Sequence, residues 1–177
     1  MIQHPTAQAN QQEEQIKSTL NALLEYEGNC FINFPNSDSG STEIIKAYQE
    51  YSSYYPEKFT LFKNLDRANY ISLLKHSDFL IGNSSSGVIE VATLGLAAIN
   101  VGERQRGRVH GANIIFTDND EVQIKEAIQK VLTDDECKQT VAKKINTYGT
   151  GNSANYVVKI LSEIELNDEL IYKNITY

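Results

Sequence analysis

Ser84-Ser85-Ser86-Gly87 sets three hydroxyls and a glycine in four consecutive positions, directly after the apolar run Phe79-Leu80-Ile81 and Gly82-Asn83. A strand ending there and a helix starting there would leave the first helical N–H groups without intrahelical partners, at the positive end of the helix dipole. Small residues let a phosphate approach such a backbone closely. The same composition also suits an ordinary serine N-cap ahead of a buried helix. No Gly-Lys-Ser/Thr follows and the GxGxxG spacing is absent, so the segment is neither a Walker loop nor a dinucleotide fingerprint. Glu90 lies one turn further on, between Ile89 and Val91. Its carboxylate could accept hydrogen bonds from ribose hydroxyls, or could simply face the helix dipole.

Arg104, Arg106 and Arg108 form the second cluster, with Gly102 and Gly107 loosening the backbone around them. Guanidinium groups bind phosphate oxygens bidentately and stay charged at any relevant pH. Alternation along an extended loop lets only some of the three face one site; the alternative for each is a solvated loop position. His4 precedes Pro5 at a strand end, where an imidazole could donate to a phosphate or serve as acid or base. Asn36 and Asp38 could read a base or sugar, or form an Asx-turn. His76 and His110 have no ligand spacing with a Cys or acid, and Cys30 and Cys137 have no CxxC spacing. No metal is expected, and both cysteines read as small buried hydrophobes.

The elements that must position these residues alternate between two periods. Ile16, Leu20, Leu23 and Leu24 mark one helix face within roughly 9–26. Strands follow at Cys30–Phe34, Lys58–Phe62, Phe79–Ile81, Ala97–Val101 and Ile114–Phe116. Helices are predicted from a Ser41 or Thr42 cap to Tyr51, from an Asp66 cap to His76, and from the serine turn through Leu94. Ile124, Ala127, Ile128, Val131 and Leu132 stripe a further helix, and Thr133 with Glu136 fits a capping box for the next. Asn152 or Ser153 could cap a last helix carrying Val157, Ile160, Leu161 and Ile164. Continuously apolar strands alternating with helices predict a three-layer α/β/α parallel sheet covered on both faces. Such sheets bind ligands beyond the carboxyl ends of their strands, where His4, Asn36–Ser41, Leu65-Asp66, Asn83–Gly87 and Gly102–Arg108 all fall.

Composition narrows the function class. The chain has 177 residues and 41% hydrophobic content, enough for one domain with a real core. A net charge of −7 argues against nucleic acid as the main partner. The start carries no signal-peptide pattern and no run of about 18 apolar residues exists. The expected setting is the cytoplasm, with no membrane partner. His4-Pro5 reads as the end of a strand with only three residues before it, so the chain is expected to begin in mid-structure.

Gly82-Asn83-Ser84-Ser85-Ser86-Gly87-Val88-Ile89-Glu90, then Ile99-Asn100-Val101-Gly102, then Arg104-Gln105-Arg106-Gly107-Arg108, resembles the C-terminal domain of hydrolysing UDP-N-acetylglucosamine 2-epimerases. Pro35-Asn36-Ser37-Asp38-Ser39-Gly40-Ser41 and His4-Pro5 match two further family segments in order. The resemblance covers nearly the whole chain. It implies a Rossmann-like domain, residues 1–164 with a tail at 165–177, forming the UDP-binding half of a glycosyltransferase-B arrangement. The family eliminates UDP from UDP-N-acetylglucosamine across C1–C2 and hydrates the glycal to N-acetylmannosamine, a sugar of sialic acid biosynthesis. By position, Ser84, Ser85 and Arg104 would meet the phosphates and Glu90 the ribose, with Ser86 and Arg108 also among the UDP-binding residues. Asn36 and Leu65 would meet the nucleoside region, and His4 the phosphate or sugar side with a catalytic role. The family's proton-transferring carboxylates lie mostly in an N-terminal domain, which would be absent here, so little activity is expected from this chain alone. No cofactor is implied. UDP or UDP-N-acetylglucosamine, the missing domain and a second copy in a homo-oligomer are the implied partners. Two alternatives stay open: the UDP-binding half of a nucleotide-sugar glycosyltransferase, and a non-catalytic nucleotide-binding fragment.

Overall fold

Cys30–Asn33 (β1), Phe59–Phe62 (β2), Phe79–Gly82 (β3), Ala97–Val101 (β4) and Ile114–Thr117 (β5) pair in parallel throughout. The computed structural model describes residues 1–6 and 11–172, the Glu169 side chain excepted. The strands form two ribbons, β1-β2 and β3-β4-β5. Ile2 joins them: its backbone bridges Asn33 on one side and Gly82 on the other. The Ile2 N–H donates to Ile81 O at 2.9 Å, and Ile2 O accepts from Asn83 N at 3.1 Å.

Strand order therefore runs β2, β1, Ile2, β3, β4, β5. From residue 2 the chain builds outward one way through β1 and β2. It then returns to lay β3 on the other side of residue 2 and continues to β5. This reversal is the topological switch point where open α/β sheets leave a crevice at the strands' carboxyl ends. Gly82 makes the junction possible. Its φ is +126°, and a Cβ there would collide with the Ile2 carbonyl oxygen.

Neighbouring strand residues bury into opposite faces, as continuously apolar strands require. On one face, Ile16, Leu20 and Leu23 of α1 (Gln12–Leu24) and Ile44 and Tyr48 of α2 (Ser41–Tyr54) join the main core. Ile32, Phe59, Ile81 and Ile99 share it with Ile124 and Ile128, which come from a helix nearer the C-terminus. On the other face, Leu80 and Ala98 cluster with Leu74 of α3 (Arg67–Lys75). Each fully buried aliphatic side chain contributes about 1.5–3 kcal/mol.

Several termini differ from the sequence expectation. The expected start of the first helix near residue 9 lies outside the described residues. Gly40, with φ +93°, occupies the N-cap of α2 in place of Ser41 or Thr42. Asp66 caps α3 as expected, accepting from Asn69 N. The helix expected through Leu94 divides at Glu90 into α4 (Ser85–Ile89) and α5 (Val91–Leu94). Val91 joins Leu74 and Leu80 in the second cluster.

Ile124, Ala127, Ile128 and Val131 are the buried stripe of α6 (Glu121–Thr133). The capping box expected at Thr133 does not form. Thr133 ends α6 and its hydroxyl bonds back to Gln129 O, while Asp134 caps α7 (Asp135–Ala142) through Cys137 N. Cys30 is buried, whereas Cys137 is only partly so.

Residues 1–147 form one compact unit and 148–177 a second. The expected boundary at 164 falls inside that second unit. There α8 (Ser153–Glu163) has Asn152 at its N-cap position without a side-chain cap bond, and buries none of its residues. A short α9 (Asp168–Ile171) follows. Among the described residues no helix is long and apolar enough to cross a membrane.

Candidate nucleotide site at the switch point

A cleft of about 430 Å³ opens beyond the carboxyl ends of the strands. His4, Leu65, Ser84, Ser85, Ser86 and Glu90 line it, six positions drawn from three separate segments of the chain. Asn64, Arg67, Tyr70 and Ile89 complete much of the wall.

The serine turn is held by its own cap. Ser84 Oγ accepts from Ser86 N at 3.3 Å, and Ser84 O accepts from Gly87 N at 3.2 Å. Among the described residues, neither the Ser85 amide nor its hydroxyl has a partner. With only five residues in α4, the local N–H and hydroxyl donors matter more to an anion than any long-range dipole.

Asn83 organises the loops around this turn and is 2% exposed. Its side chain clamps the His4 backbone: Oδ1 accepts from His4 N at 2.7 Å and Nδ2 donates to His4 O at 2.8 Å. Its own carbonyl accepts from Arg104 Nη1 at 3.0 Å and from Gln105 Nε2 at 2.9 Å. The turn after β3, the segment after residue 2 and the loop after β4 are thus joined at one residue.

His4 is neutral near pH 7. Burial pushes its pKa down and the nearby Arg104 charge pushes the same way, while Asp38 opposes them. Asn36 N donates to His4 Nδ1 at 3.0 Å, which assigns the ring proton to Nε2. Asn36 thus stands behind His4, and its side chain donates to Asp38 Oδ2 at 2.5 Å.

The three arginines separate. Arg104 is tied to Asn83 beside the serine turn. Arg106 turns to acids, at 2.6 Å from Glu103 and 2.8 Å from Asp118, and lies over the Phe116 ring. Arg108 donates to Gln105 Oε1 at 2.8 Å, bracing the residue that holds Asn83 O. Arg104 and Arg108 are both exposed, and neither is among the residues that line the cleft.

Glu90 has both carboxylate oxygens engaged. Arg67 Nη1 lies 2.7 Å from Oε1, and Ser86 Oγ donates to Oε2 at 2.5 Å. Tyr70 OH lies 2.6 Å from the same Ser86 oxygen. Residue type and spacing give no role to Asn83, Gln105, Arg67 or Tyr70. The available signal was the Asp66 cap, which places Arg67 and Tyr70 one turn apart at the start of α3.

Fold and site define a Rossmann-like α/β domain with a polar crevice at its switch point, the place where such folds bind their ligands. The chain belongs to the UDP-N-acetylglucosamine 2-epimerase family, whose model matches residues 1–162. It is 32% identical over 174 residues to a UDP-N,N'-diacetylbacillosamine 2-epimerase (hydrolyzing) of Legionella pneumophila, covering 98% of this chain and 44% of that one. It is 30% identical over 178 residues to the polysialic acid biosynthesis protein P7 of Escherichia coli, with the same coverages of 98% and 44%. The fold matches an S. aureus MnaA–UDP co-structure with a TM-score of 0.74 at 16% identity, covering 92% of this chain and 43% of that one. The chain thus spans a little under half the length of these relatives.

Proposed function

We propose that this chain is the UDP-binding, C-terminal half of a hydrolysing UDP-N-acetylglucosamine 2-epimerase. The carrying observation is the convergence of His4, Leu65, Ser84–Ser86 and Glu90 on one cleft, with Arg104 tied beside it through Asn83. UDP leaves the sugar as an anion, and developing negative charge calls for fixed donors. The Ser85 amide and hydroxyl, the donors of Arg104 beyond the one bonded to Asn83 O, and the Nε2–H of neutral His4 are of that kind. Glu90 is suited to accept from ribose hydroxyls, while Leu65 in the cleft wall and Asn36 behind His4 would meet the nucleoside.

In this reading UDP is eliminated across C1–C2 and water adds to the glycal. The carboxylates that move the C2 proton belong mostly to the part of the enzyme beyond this chain, so the chain alone turns over little or no substrate. Isothermal titration calorimetry with UDP tests the binding claim. The whole chain binds UDP, and Arg104→Ala and Glu90→Ala each weaken it; equal affinities across the three would remove the site assignment. Chromatographic product analysis of the complete enzyme tests the reaction. Free UDP and N-acetylmannosamine without any acceptor mean an epimerase, whereas acceptor-dependent transfer means a glycosyltransferase.

The family membership and the P7 relative support a role in making sialic-acid-type sugars, which we place in the cytoplasm. Self-association accompanies this reading. Sedimentation velocity at several concentrations checks it; a monomer throughout would contradict it.

A further inference from the structure

Glu90 is held by more contacts than a place in the cleft wall requires. Resting on the nucleotide reading of that cleft, we propose that Tyr70, acting through the Ser86 hydroxyl, and Arg67 lock the Glu90 carboxylate in one orientation and thereby set the site's preference for a ribose over a deoxyribose nucleotide.

The direction of the hydrogen bonds follows from proton count. Ser86 has one hydroxyl proton, and an ionised carboxylate can only accept. The 2.5 Å contact to Glu90 Oε2 therefore uses that proton. The 2.6 Å contact between Tyr70 OH and Ser86 Oγ must then be donated by Tyr70. The result is a directed chain, Tyr70 O–H to Ser86 O–H to Glu90 carboxylate, in which each bond polarises the next. Burial raises the Tyr70 pKa, so the phenol keeps its proton.

The second oxygen is held from the opposite side. Arg67 Nη1 stands 2.7 Å from Oε1. Glu90 sits at the break between α4 and α5, with φ −111° and ψ −46°, so a continuous helix does not fix its side chain. Arg67, Ser86 and Tyr70 supply that constraint. Each carboxylate oxygen retains acceptor capacity beyond these bonds. An anchored carboxylate can take a ribose 2′-hydroxyl at a defined position; a freely rotating one would spread that contact over several geometries. Ser86 is then committed to the carboxylate and meets the nucleotide through it, while Ser85 keeps its donors for phosphate. Tyr70 and Arg67 are positioning residues, not catalytic ones.

Calorimetry on the whole chain with UDP, 2′-deoxy-UDP and inorganic pyrophosphate tests this. The wild type favours UDP over 2′-deoxy-UDP by about tenfold, as one hydrogen bond to a charged group gives. Tyr70→Phe loses at least about threefold of the ribose preference, read as the ratio of UDP to 2′-deoxy-UDP affinity, and a larger share of its UDP affinity than of its pyrophosphate affinity. Ser86→Ala loses the same and serves if Tyr70→Phe does not fold; Arg67→Gln loses part of it, and Glu90→Gln sets the floor. A preference unchanged in both Tyr70→Phe and Ser86→Ala, with UDP still bound, overturns the positioning role and leaves the nucleotide reading standing. Absence of UDP binding by the wild type removes that reading and this inference with it.

Discussion

Arg104 Nη1 donates to the backbone carbonyl of Asn83 at 3.0 Å, one residue ahead of Ser84. A cation from the loop after β4 is thereby anchored beside the serine turn after β3, and among the described residues its remaining N–H donors have no partner. Arg106, two positions on, has its charge met by Glu103 and Asp118. Arg104→Ala is predicted to weaken UDP binding about ten- to a hundredfold, the scale of a charge-assisted hydrogen bond. Arg106→Ala is predicted to change it by less than about twofold. Titration calorimetry on the two variants distinguishes them, and equal losses would contradict the division of roles.

His4 gives a pH prediction with a defined sign. Its folded pKa lies below the ordinary 6.5 because burial and Arg104 disfavour the charged ring. Between the two values the unfolded chain binds the extra proton, so stability rises with pH there. The contribution is complete above pH 6.5 and is lost as pH falls through the folded value. The measurement is a difference. Unfolding in denaturant at a series of pH values should show a shallower acid loss for His4→Gln than for the wild type.

Asn83→Asp probes the residue joining the loops. A carboxylate could still accept from His4 N but could not donate to His4 O, leaving that carbonyl facing a buried negative charge. We predict a loss of about 2 kcal/mol in unfolding free energy. UDP affinity is predicted to fall as well, because His4 and Arg104 are both referenced to this residue. Retention of both properties would mean that the clamp is dispensable.

Gly82 and Gly107 form a matched pair for the backbone. Both have positive φ, +126° and +79°. At Gly82 an added Cβ meets the Ile2 carbonyl oxygen, whereas at Gly107 nothing lies within 4 Å. Gly82→Ala is predicted to cost about 3 kcal/mol or more, by strain and collision together. Gly107→Ala is predicted to cost about 1 kcal/mol, by strain alone. Chemical denaturation of both variants checks the contrast, and similar costs would refute the close approach at residue 2.

Much of the fold was legible because the relevant signals are local. The apolar runs at Phe79–Ile81 and Ala97–Val101, the stripe from Ile124 to Val131 and the Asp66 cap depend on residues within one or two turns of each other. The helix break at Glu90, the Gly40 cap and the Asp134 cap were less legible, since each is decided between neighbouring residues with similar propensities. The candidate site was legible as a set of strand-end loops, but not as a set of contacts.

Residue type and spacing alone determined that this chain would build a parallel α/β sheet with a serine turn and an arginine loop at strand ends, since periodicity and turn chemistry are properties of short stretches. Only the tertiary structure decided that Ile2 would sit between β1 and β3, that Asn83 would tie His4 to Arg104, and that Arg67 and Tyr70 would converge on Glu90. Those outcomes depend on strand order and on competition among side chains for the same partners, which distant residues settle only when the chain is packed.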